Sequence, residues 1–302
     1  MDKVVLVGCG NVGVSYAYSL INSSVHVDEL VLIDLFKELA EGQAMDLTHA
    51  CSALNKRMKI YAGSYSDCDN AKIVCICAGR GQAVGETRMD LINKNYEVFK
   101  GIITEINKTS FNGIYLVATN PLDIMTAITQ KLSGFPKNKV IGSGTTLDTA
   151  RLRSLISKEL DLNPKNIHAY VIGEHGDSEF IPWSNAIIGL NKATDFINKT
   201  KRQQILKDVR NSAYEIIKLK GNTCYGIGVC LRNITKAILE DTNTIMTVSA
   251  YDKHSDTYVG LPTVVGADGA EKVMYLELTD EETEEFKKSV IAIKTALKSL
   301  NC

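Results

Sequence analysis

The 302-residue sequence has no excess of positive charge and no long apolar run. It contains 34 lysine and arginine residues against 35 aspartate and glutamate residues, a formal net charge of -1. A chain without a basic excess neutralises few phosphates, which argues against a dedicated nucleic-acid-binding protein. No apolar stretch approaches the ~20 residues that a membrane-spanning helix requires, so we expect no membrane span. The chain begins MDKVVLVGCG and enters a strand-like run at once, so we expect no signal peptide.

The cysteines lack the spacing of zinc-binding or redox motifs. None of the eight forms a C-x-x-C pair, and no cysteine or histidine pair has structural-metal spacing, so we expect no metal. Cysteines in apolar runs are typical of a reducing compartment, which predicts a cytoplasmic protein. The chain is long for a single core and fits two packed domains.

The first motif lies at the start of the chain. Residues 3–8, KVVLVG, form a run typical of a strand buried on both faces, and a helical stretch follows from Asn11 to Ile21. Between strand and helix, the first glycine of GCGNVG permits a tight turn, the second lets backbone approach a pyrophosphate, and the third lets helix pack on strand. The unpaired N–H groups of the helix start favour phosphate. The predicted cofactor-binding residues of this turn are Gly8, Gly10, Asn11, Val12 and Gly13.

Asp34 ends the next apolar run, twenty-one residues after Gly13. A carboxylate at this place accepts hydrogen bonds from both adenosine-ribose hydroxyls and repels a 2′-phosphate. The alternative is a solvated residue at a strand end. Together with the glycines, Asp34 predicts that the cofactor is NAD rather than NADP.

Strand-like and helical stretches alternate up to about residue 143. This pattern predicts an α/β protein with a Rossmann-type doubly wound parallel sheet. After Gly144 come helices and shorter strand-like runs, including 258–265 and 272–278, so we expect a mixed α/β substrate domain. We place the dinucleotide-binding domain at 1–143 and the substrate-binding domain at 144–302. Ligands of such sheets bind beyond the carboxyl ends of the strands, which are followed here by Gly8 to Gly13, Asp34, Ala78 to Arg88, and Asn120.

The stretch 145–178 brings an acid, a base and a cation into one segment. Asp148 and Arg151 are three residues apart in a helical pattern and therefore share a face. His175 follows in a glycine-rich turn after HAYVIG. An imidazole whose tautomer is fixed by a carboxylate can act as a general acid/base, and a guanidinium fork can hold a substrate carboxylate. The alternative is a solvated ion pair and an ordinary polar histidine.

A glycine-rich loop, AGRGQAVGETRMD, follows the strand that ends at Ala78. It carries Arg80, Gln82 and Arg88. A loop of this kind between strand and helix can close over a substrate and exclude water. The alternative is a mobile surface loop with incidental charges.

Taken together, these motifs resemble the NAD-dependent lactate/malate dehydrogenase family. The marks are GCGNVG, Asp34 after LVLI, AGRGQAVGETR, VATNPLD, LDTARLR and IGEHGDS, in the order and spacing of the family and over nearly the whole chain. The resemblance implies a dinucleotide-binding domain followed by a mixed α/β substrate domain. It also implies homodimers or homotetramers, of which we expect the homotetramer.

The resemblance also implies a role for each matching residue. His175 matches the proton donor and acceptor, and Asp148 matches the carboxylate that orients it. Arg151 matches the residue that binds the substrate carboxylate, and Arg88 the lid arginine that polarises the substrate carbonyl. The remaining matches are to residues around substrate and nicotinamide: Asn120, Thr223 and Ile227, with Ala78 and Gly79 on the cofactor side.

Gln82 decides between the two substrates of the family. In the family that the sequence resembles, the fifth residue of the lid motif faces the variable end of the substrate, and the malate enzymes have an arginine there. An uncharged glutamine leaves the second carboxylate of oxaloacetate unpaired, at a cost of about 2–5 kcal/mol for a buried charge. The resemblance therefore implies reduction of pyruvate to L-lactate, which Glu86, Glu174 and Thr223 also favour. The alternative is malate dehydrogenase or a relaxed 2-hydroxy acid dehydrogenase, because Arg80 beside Gly81 could reach a second carboxylate.

Arg153 and His168 match the positions at which family members activated by fructose 1,6-bisphosphate bind phosphate at a subunit interface. Doubled by a two-fold axis, they suit a bisphosphate. The alternative is a surface helix residue and an ordinary strand residue.

Two other classes of protein fit the sequence less well. An NAD-dependent glycosidase would need a metal held by cysteine and histidine, and no such pair stands near Asn120 or His175. A non-catalytic NAD-binding scaffold would have no use for Arg88, Asp148, Arg151 and His175 together.

Overall fold

The structure, a computed structural model, describes residues 1–81 and 88–300, with Arg88 described by its backbone only. The helices within these residues are α1 (Asn11–Ile21), α2 (Lys37–Ala53), α3 (Arg88–Ile106), α4 (Leu122–Ser133), α5 (Thr146–Leu160), α6 (Lys199–Lys220), α7 (Tyr225–Leu239) and α8 (Asp280–Lys298). The strands are β1 (Lys3–Val7), β2 (Glu29–Ile33), β3 (Lys59–Ala62), β4 (Ile73–Ile76), β5 (Ile114–Val117), β6 (Val140–Gly142), β7 (Ile167–His168), β8 (Ile187–Ile188), β9 (Asn191–Lys192), β10 (Thr244–Asp252), β11 (Thr257–Gly266) and β12 (Gly269–Val273).

Nine strands form one sheet in the order β12-β11-β10-β6-β5-β4-β1-β2-β3. The six strands from β6 to β3 are parallel to one another. Read from β3, their order is 3-2-1-4-5-6, which is the order of a doubly wound dinucleotide-binding sheet with its switch point between β1 and β4. The predicted fold class is confirmed.

The second half of the chain extends the same sheet. Strand β10 pairs antiparallel with β6 through Ser249 and Gly142, and β11 and β12 continue outward as antiparallel strands. Strands β7 to β9 form a separate three-stranded sheet. The boundary between residues 143 and 144 stays a prediction, and the nine-stranded sheet runs across it.

Apolar side chains cover both faces of the sheet because successive strand residues point to opposite sides. Val5, Val7, Val31 and Ile33 pack with α3 and α4 on one face, whereas Val4, Leu6, Leu30 and Leu32 pack with α1 and α7 on the other. A third cluster joins α5 and α6 to the small sheet. This double burial is why the strands are continuous apolar runs in the sequence.

One strand prediction was wrong in extent. The run 272–278 was expected to be a strand, but β12 ends at Val273. Leu276 and Leu278 pack on the core cluster of α3 and α4 without a strand partner, so their alternation reflects packing rather than a β-ladder. The capping box that opens α8 is present, with Thr279 and Glu282 bonded reciprocally.

No helix within the described residues is long and apolar enough to cross a membrane. The seven cysteines in this part of the chain are free, and all but Cys77 are buried. They serve as small apolar residues, as the sequence predicted.

Candidate active site

The glycine turn after β1 brings backbone segments closer together than side chains would allow. Gly8 has a φ of 100°, and its N–H donates to the carbonyl oxygen of Ile33 over 2.8 Å. A Cβ on Gly13 would lie 2.0 Å from the Gly8 carbonyl oxygen, so only glycine lets α1 approach β1 this closely. Among the described residues, nothing lies within 4 Å of a Cβ built on Gly10, and no side chain caps the start of α1. The helix therefore presents free backbone N–H groups to an open space, as a pyrophosphate site requires.

Asp34 stands beside this turn at the end of β2. One carboxylate oxygen accepts a hydrogen bond from the Cys9 N–H over 2.7 Å, and the other accepts from the Phe36 N–H over 3.0 Å. These bonds fix the carboxylate at the rim of the glycine turn, where a ribose attached to the pyrophosphate would lie.

Asn95 of α3 links the loop that follows β4 to the loop that follows β5. Its amide oxygen accepts from the Arg80 N–H over 2.8 Å, and its amide nitrogen donates to the Asn120 carbonyl oxygen over 2.8 Å. A Cβ on Gly79 would lie 2.3 Å from the Thr119 side chain, so the two loops pack without room for one. The fully buried Asn95 was missed from the sequence, because an asparagine on a helical face gives no sign of its partners.

An imidazole, a carboxylate and a guanidinium meet where α5 faces the loop after β7. The His175 Nδ1 lies 2.6 Å from one Asp148 oxygen, and the Arg151 Nη1 donates to the other over 2.8 Å. The side chains of Asp148, Arg151 and His175 are 2%, 13% and 25% exposed. The alternative of a solvated surface ion pair is therefore wrong.

A second carboxylate holds the backbone of the histidine. Asp123 of α4 accepts a hydrogen bond from the His175 N–H over 2.8 Å and another from the Ser249 hydroxyl over 2.6 Å. Asp123 is 1% exposed, and burial raises its pKa, which these two bonds partly offset. It belongs to the sequence VATNPLD, in which only Asn120 was assigned a role.

Charge around the imidazole favours its protonated form. Burial alone would lower the pKa of His175, but the charge and hydrogen bond of Asp148, with the charges of Glu179 and Asp123, raise it to about 9. Burial would raise the pKa of Asp148, yet His175 and Arg151 bring it below its usual value. The pair is thus an imidazolium held by a carboxylate at neutral pH.

This donor set suits a proton better than a metal ion. Both oxygens of Asp148 are already bonded, one to His175 and one to Arg151. A cation would have to displace the guanidinium and compete with its charge. The arrangement can instead hold an anion on Arg151 and exchange a proton at the outer nitrogen of His175.

Family models match both halves of the chain. Residues 2–142 match the lactate/malate dehydrogenase NAD binding domain, and residues 145–301 match the lactate/malate dehydrogenase alpha/beta C-terminal domain.

The chain belongs to the lactate/malate dehydrogenase family.

Several named members of this family are similar to the chain over nearly their full length. L-lactate dehydrogenase 2 of Bacillus cereus is 47% identical, covering 98% of each chain. L-lactate dehydrogenase of Macrococcus caseolyticus is 46% identical over 97% of this chain and 96% of its own. The crystal structure of MGS-M5, a lactate dehydrogenase from a Medee basin deep-sea metagenome library, has a TM-score of 0.95 at 42% identity and covers 100% of this chain and 99% of its own. The minor L-lactate dehydrogenase from Enterococcus mundtii, in a ligands-bound form, has a TM-score of 0.95 at 39% identity, covering 99% and 98%.

Some of the predicted site residues lie outside the described part of the chain. Gln82 and Glu86 fall in the stretch 82–87, and Arg88 is described only as the first residue of α3. Thr223 lies half-buried just before α7, and Ile227 packs with Val12 on the core cluster of α1. Ile227 thus borders the helix that starts at the glycine turn.

The two residues predicted to bind a regulatory bisphosphate lie on adjoining elements. Arg153 of α5 donates from Nε to the Ala169 carbonyl oxygen over 3.2 Å, and its guanidinium lies 5.2 Å from the centre of the Tyr170 ring. His168 is the exposed residue of β7 that precedes Ala169 in the chain.

Proposed function

We propose that this chain is an L-lactate dehydrogenase, which reduces pyruvate to L-lactate with NADH and catalyses the reverse reaction. The observation that carries the proposal is the buried contact of His175 with Asp148, beside Arg151 and at the edge of an NAD-binding sheet. The curated relatives and both solved structures named above are lactate dehydrogenases, which supports pyruvate as the substrate.

The cleft at the switch point of the sheet fits NAD. We assign the pyrophosphate to the glycine turn and the start of α1, because the space beside Gly10 is open and the first N–H groups of the helix face it. We assign the adenosine ribose to Asp34. When bound, NADH supplies the hydride. The residues assigned to the cofactor are Gly8, Gly10, Asn11, Val12, Gly13, Asp34, Ala78, Gly79, Asn120 and Ile227.

Arg151 and His175 orient the substrate. The Arg151 fork binds the pyruvate carboxylate, while its bond to Asp148 keeps the fork in place. The outer nitrogen of His175 gives its proton to the carbonyl oxygen during reduction and takes it back during oxidation. Asp148 fixes the tautomer by holding Nδ1. We further assign polarisation of the carbonyl to Arg88 and contacts at the substrate rim to Gln82, Asn120 and Thr223.

The substrate preference gives a direct test. We expect kcat/KM for pyruvate to exceed that for oxaloacetate at least about tenfold, because an unpaired second carboxylate is costly to bury. Steady-state NADH oxidation with each acid measures this ratio. If kcat/KM for oxaloacetate equalled or exceeded that for pyruvate, the result would favour malate dehydrogenase or a relaxed 2-hydroxy acid dehydrogenase. In that case the exposed Arg80 would contact the second carboxylate. Gln82→Arg should raise oxaloacetate turnover, whereas the neutral control Gln82→Asn should not.

We also propose that the enzyme is a homotetramer. Apolar side chains on α1 and α7 are exposed at a groove of about 560 Å³, which α2 also lines. Among the described residues, none of those assigned to the cofactor or substrate lines this groove. Tyr18, Val229 and Tyr225 line this groove and are 52%, 42% and 73% exposed. Apolar surface of this kind is typical of a subunit interface. A cytoplasmic location stays a prediction from the sequence.

Fructose 1,6-bisphosphate is proposed as an activator at a second interface. Arg153 and His168 would supply a guanidinium and an imidazole from each of two subunits. At low pyruvate concentration, we expect the bisphosphate to raise the rate of the wild type and to have less effect on Arg153→Gln. Mass measured by light scattering shows whether activation accompanies assembly. An unchanged wild-type rate would contradict the proposal, and fructose without phosphate is the control.

A further inference from the structure

The loop that carries His175 also carries the buried carboxyl group of Glu179. Glu179 follows four residues later, and its N–H donates to the Gly176 carbonyl oxygen over 3.1 Å, which turns the chain back on itself. Only 2% of Glu179 is exposed. One atom each of His175, Asp148 and Glu179, a ring nitrogen and two carboxylate oxygens, lie within 4.8 Å of one another. The imidazole therefore has the buried acid Glu179 beside it in addition to Asp148, and no role was predicted for Glu179 from the sequence.

Glu179 is anchored by its backbone rather than by its carboxyl group. Arg210 of α6 donates to its carbonyl oxygen through Nε, over 3.1 Å, and through Nη2. The next residue, Phe180, exchanges two backbone hydrogen bonds of 2.9 and 3.0 Å with Ile172. Across residues 1–81 and 88–300, we find no hydrogen bond to the Glu179 carboxyl oxygens. A buried carboxyl group without a donor favours its neutral form, so its charge responds to its neighbours.

We propose that Glu179 is a positioning residue for proton transfer: by ionising beside the imidazolium, it sets the upper end of the pH range in which His175 holds its proton. This proposal rests on the proposed function in that His175 is the proton donor. It assigns Glu179 no contact with the substrate.

The charged groups that face Glu179 come from several elements. They are Asp148 and Arg151 of α5, Arg210 of α6 and His175 of the same loop, while Asp123 of α4 faces His175. Burial raises the pKa of Glu179 and the charge of Asp148 raises it further, whereas His175, Arg210 and Arg151 oppose this rise. Asp148, whose pKa is lowered, therefore ionises first, and Glu179, whose pKa is raised, ionises at a higher pH. The new anion then attracts the imidazolium proton, so the two titrations are linked.

The test is the pH profile of Glu179→Gln, which keeps the shape of the side chain but cannot ionise. Pyruvate reduction needs the imidazolium, so kcat/KM falls as pH rises through the midpoint of His175. We expect the midpoint of E179Q to lie about half to one pH unit lower, which is roughly a three- to tenfold loss on the alkaline side. On the acidic side, kcat/KM should stay within roughly threefold of the wild type, because there Glu179 is protonated and E179Q only removes a neutral group. A loss at every pH with an unmoved midpoint would show a merely structural role and overturn the proposal.

Two further variants complete the comparison. Asp177→Asn removes an exposed carboxylate from the same loop, where water screens it, and should leave the midpoint nearly unchanged. An equal shift in D177N would contradict a specific role for Glu179. Glu179→Asp keeps a carboxyl group one methylene farther back, so its midpoint should lie between those of wild type and E179Q. If loss of NADH binding shows that E179Q has not folded, the pH profile of E179D provides the test instead. A midpoint of E179D equal to that of the wild type would then contradict the proposal.

The readout does not depend on the identity of the substrate. The profiles are measured with whichever 2-oxo acid the wild type reduces, so a preference for oxaloacetate would refute the proposed function and leave this test intact. Binding of oxamate, an isostere of pyruvate, to the NADH complex gives a second profile that requires no turnover. The same shift in E179Q is expected in that profile.

Discussion

Replacing His175 by glutamine is expected to lower kcat for pyruvate reduction by roughly 10²- to 10⁴-fold, the range that a general acid/base contributes. Glutamine can still donate a hydrogen bond to Asp148, so the carboxylate keeps a partner, but it cannot carry the proton that reduction consumes. NADH binding should be retained, because His175 lies on the substrate side and not on the glycine turn. Steady-state rates with pyruvate, together with NADH fluorescence titrations, measure both quantities.

His254→Gln is the matched control for this change. His254 is an exposed histidine in the turn between β10 and β11, with its ring centre 4.7 Å from that of Tyr275. Its replacement should leave kcat close to that of the wild type. If H175Q kept more than about a tenth of wild-type kcat, which is a loss of less than ~1.4 kcal/mol in transition-state stabilisation, His175 would not be the proton donor.

The second large effect is expected at Arg151. Arg151→Gln should lower kcat/KM for pyruvate by roughly 30- to several-thousandfold, because removal of one partner of a buried charge pair costs about 2–5 kcal/mol. Most of the loss should appear as a higher KM, since the fork binds the substrate carboxylate in ground and transition states alike. The change also frees one Asp148 oxygen from its 2.8 Å bond. Saturation curves for pyruvate, extended to high concentration, separate the two parameters.

Two further variants serve as an intermediate and as a control for Arg151→Gln. Arg151→Lys keeps the charge but loses the planar fork, so its KM should lie between those of wild type and R151Q. Lys158→Gln removes an exposed cation from the same helix and should leave KM unchanged. A KM of R151Q equal to that of the wild type would show that Arg151 does not hold the substrate carboxylate.

Most of the fold could be predicted from short stretches of the sequence. The glycine turn could be predicted because its geometry is imposed within six residues, and the structure confirms the clash that a Cβ at Gly13 would cause. The parallel strands could be predicted because burial on both faces makes them apolar throughout. The strand predicted over 272–278 was wrong in extent, because packing against a core produces the same alternation of apolar residues as a β-ladder.

Long-range partners could not be predicted in the same way. The contact of Asp148 with His175 spans 27 residues and was expected from the motifs of the family. Asp123 and Glu179 have the same residue type as many solvated acids, and only tertiary structure shows that they are 1% and 2% exposed. Burial converts an ordinary carboxyl group into one that controls a proton, and no spacing in the sequence reports it.

Because β10 pairs with β6, the two halves of the molecule share one sheet and should unfold together. Cleavage between residues 143 and 144 would not release two independent domains, since the dinucleotide-binding half would expose the edge of β6 and its buried apolar neighbours. Denaturation should accordingly be a single cooperative event, and truncated versions of the enzyme would tend to aggregate rather than function as modules.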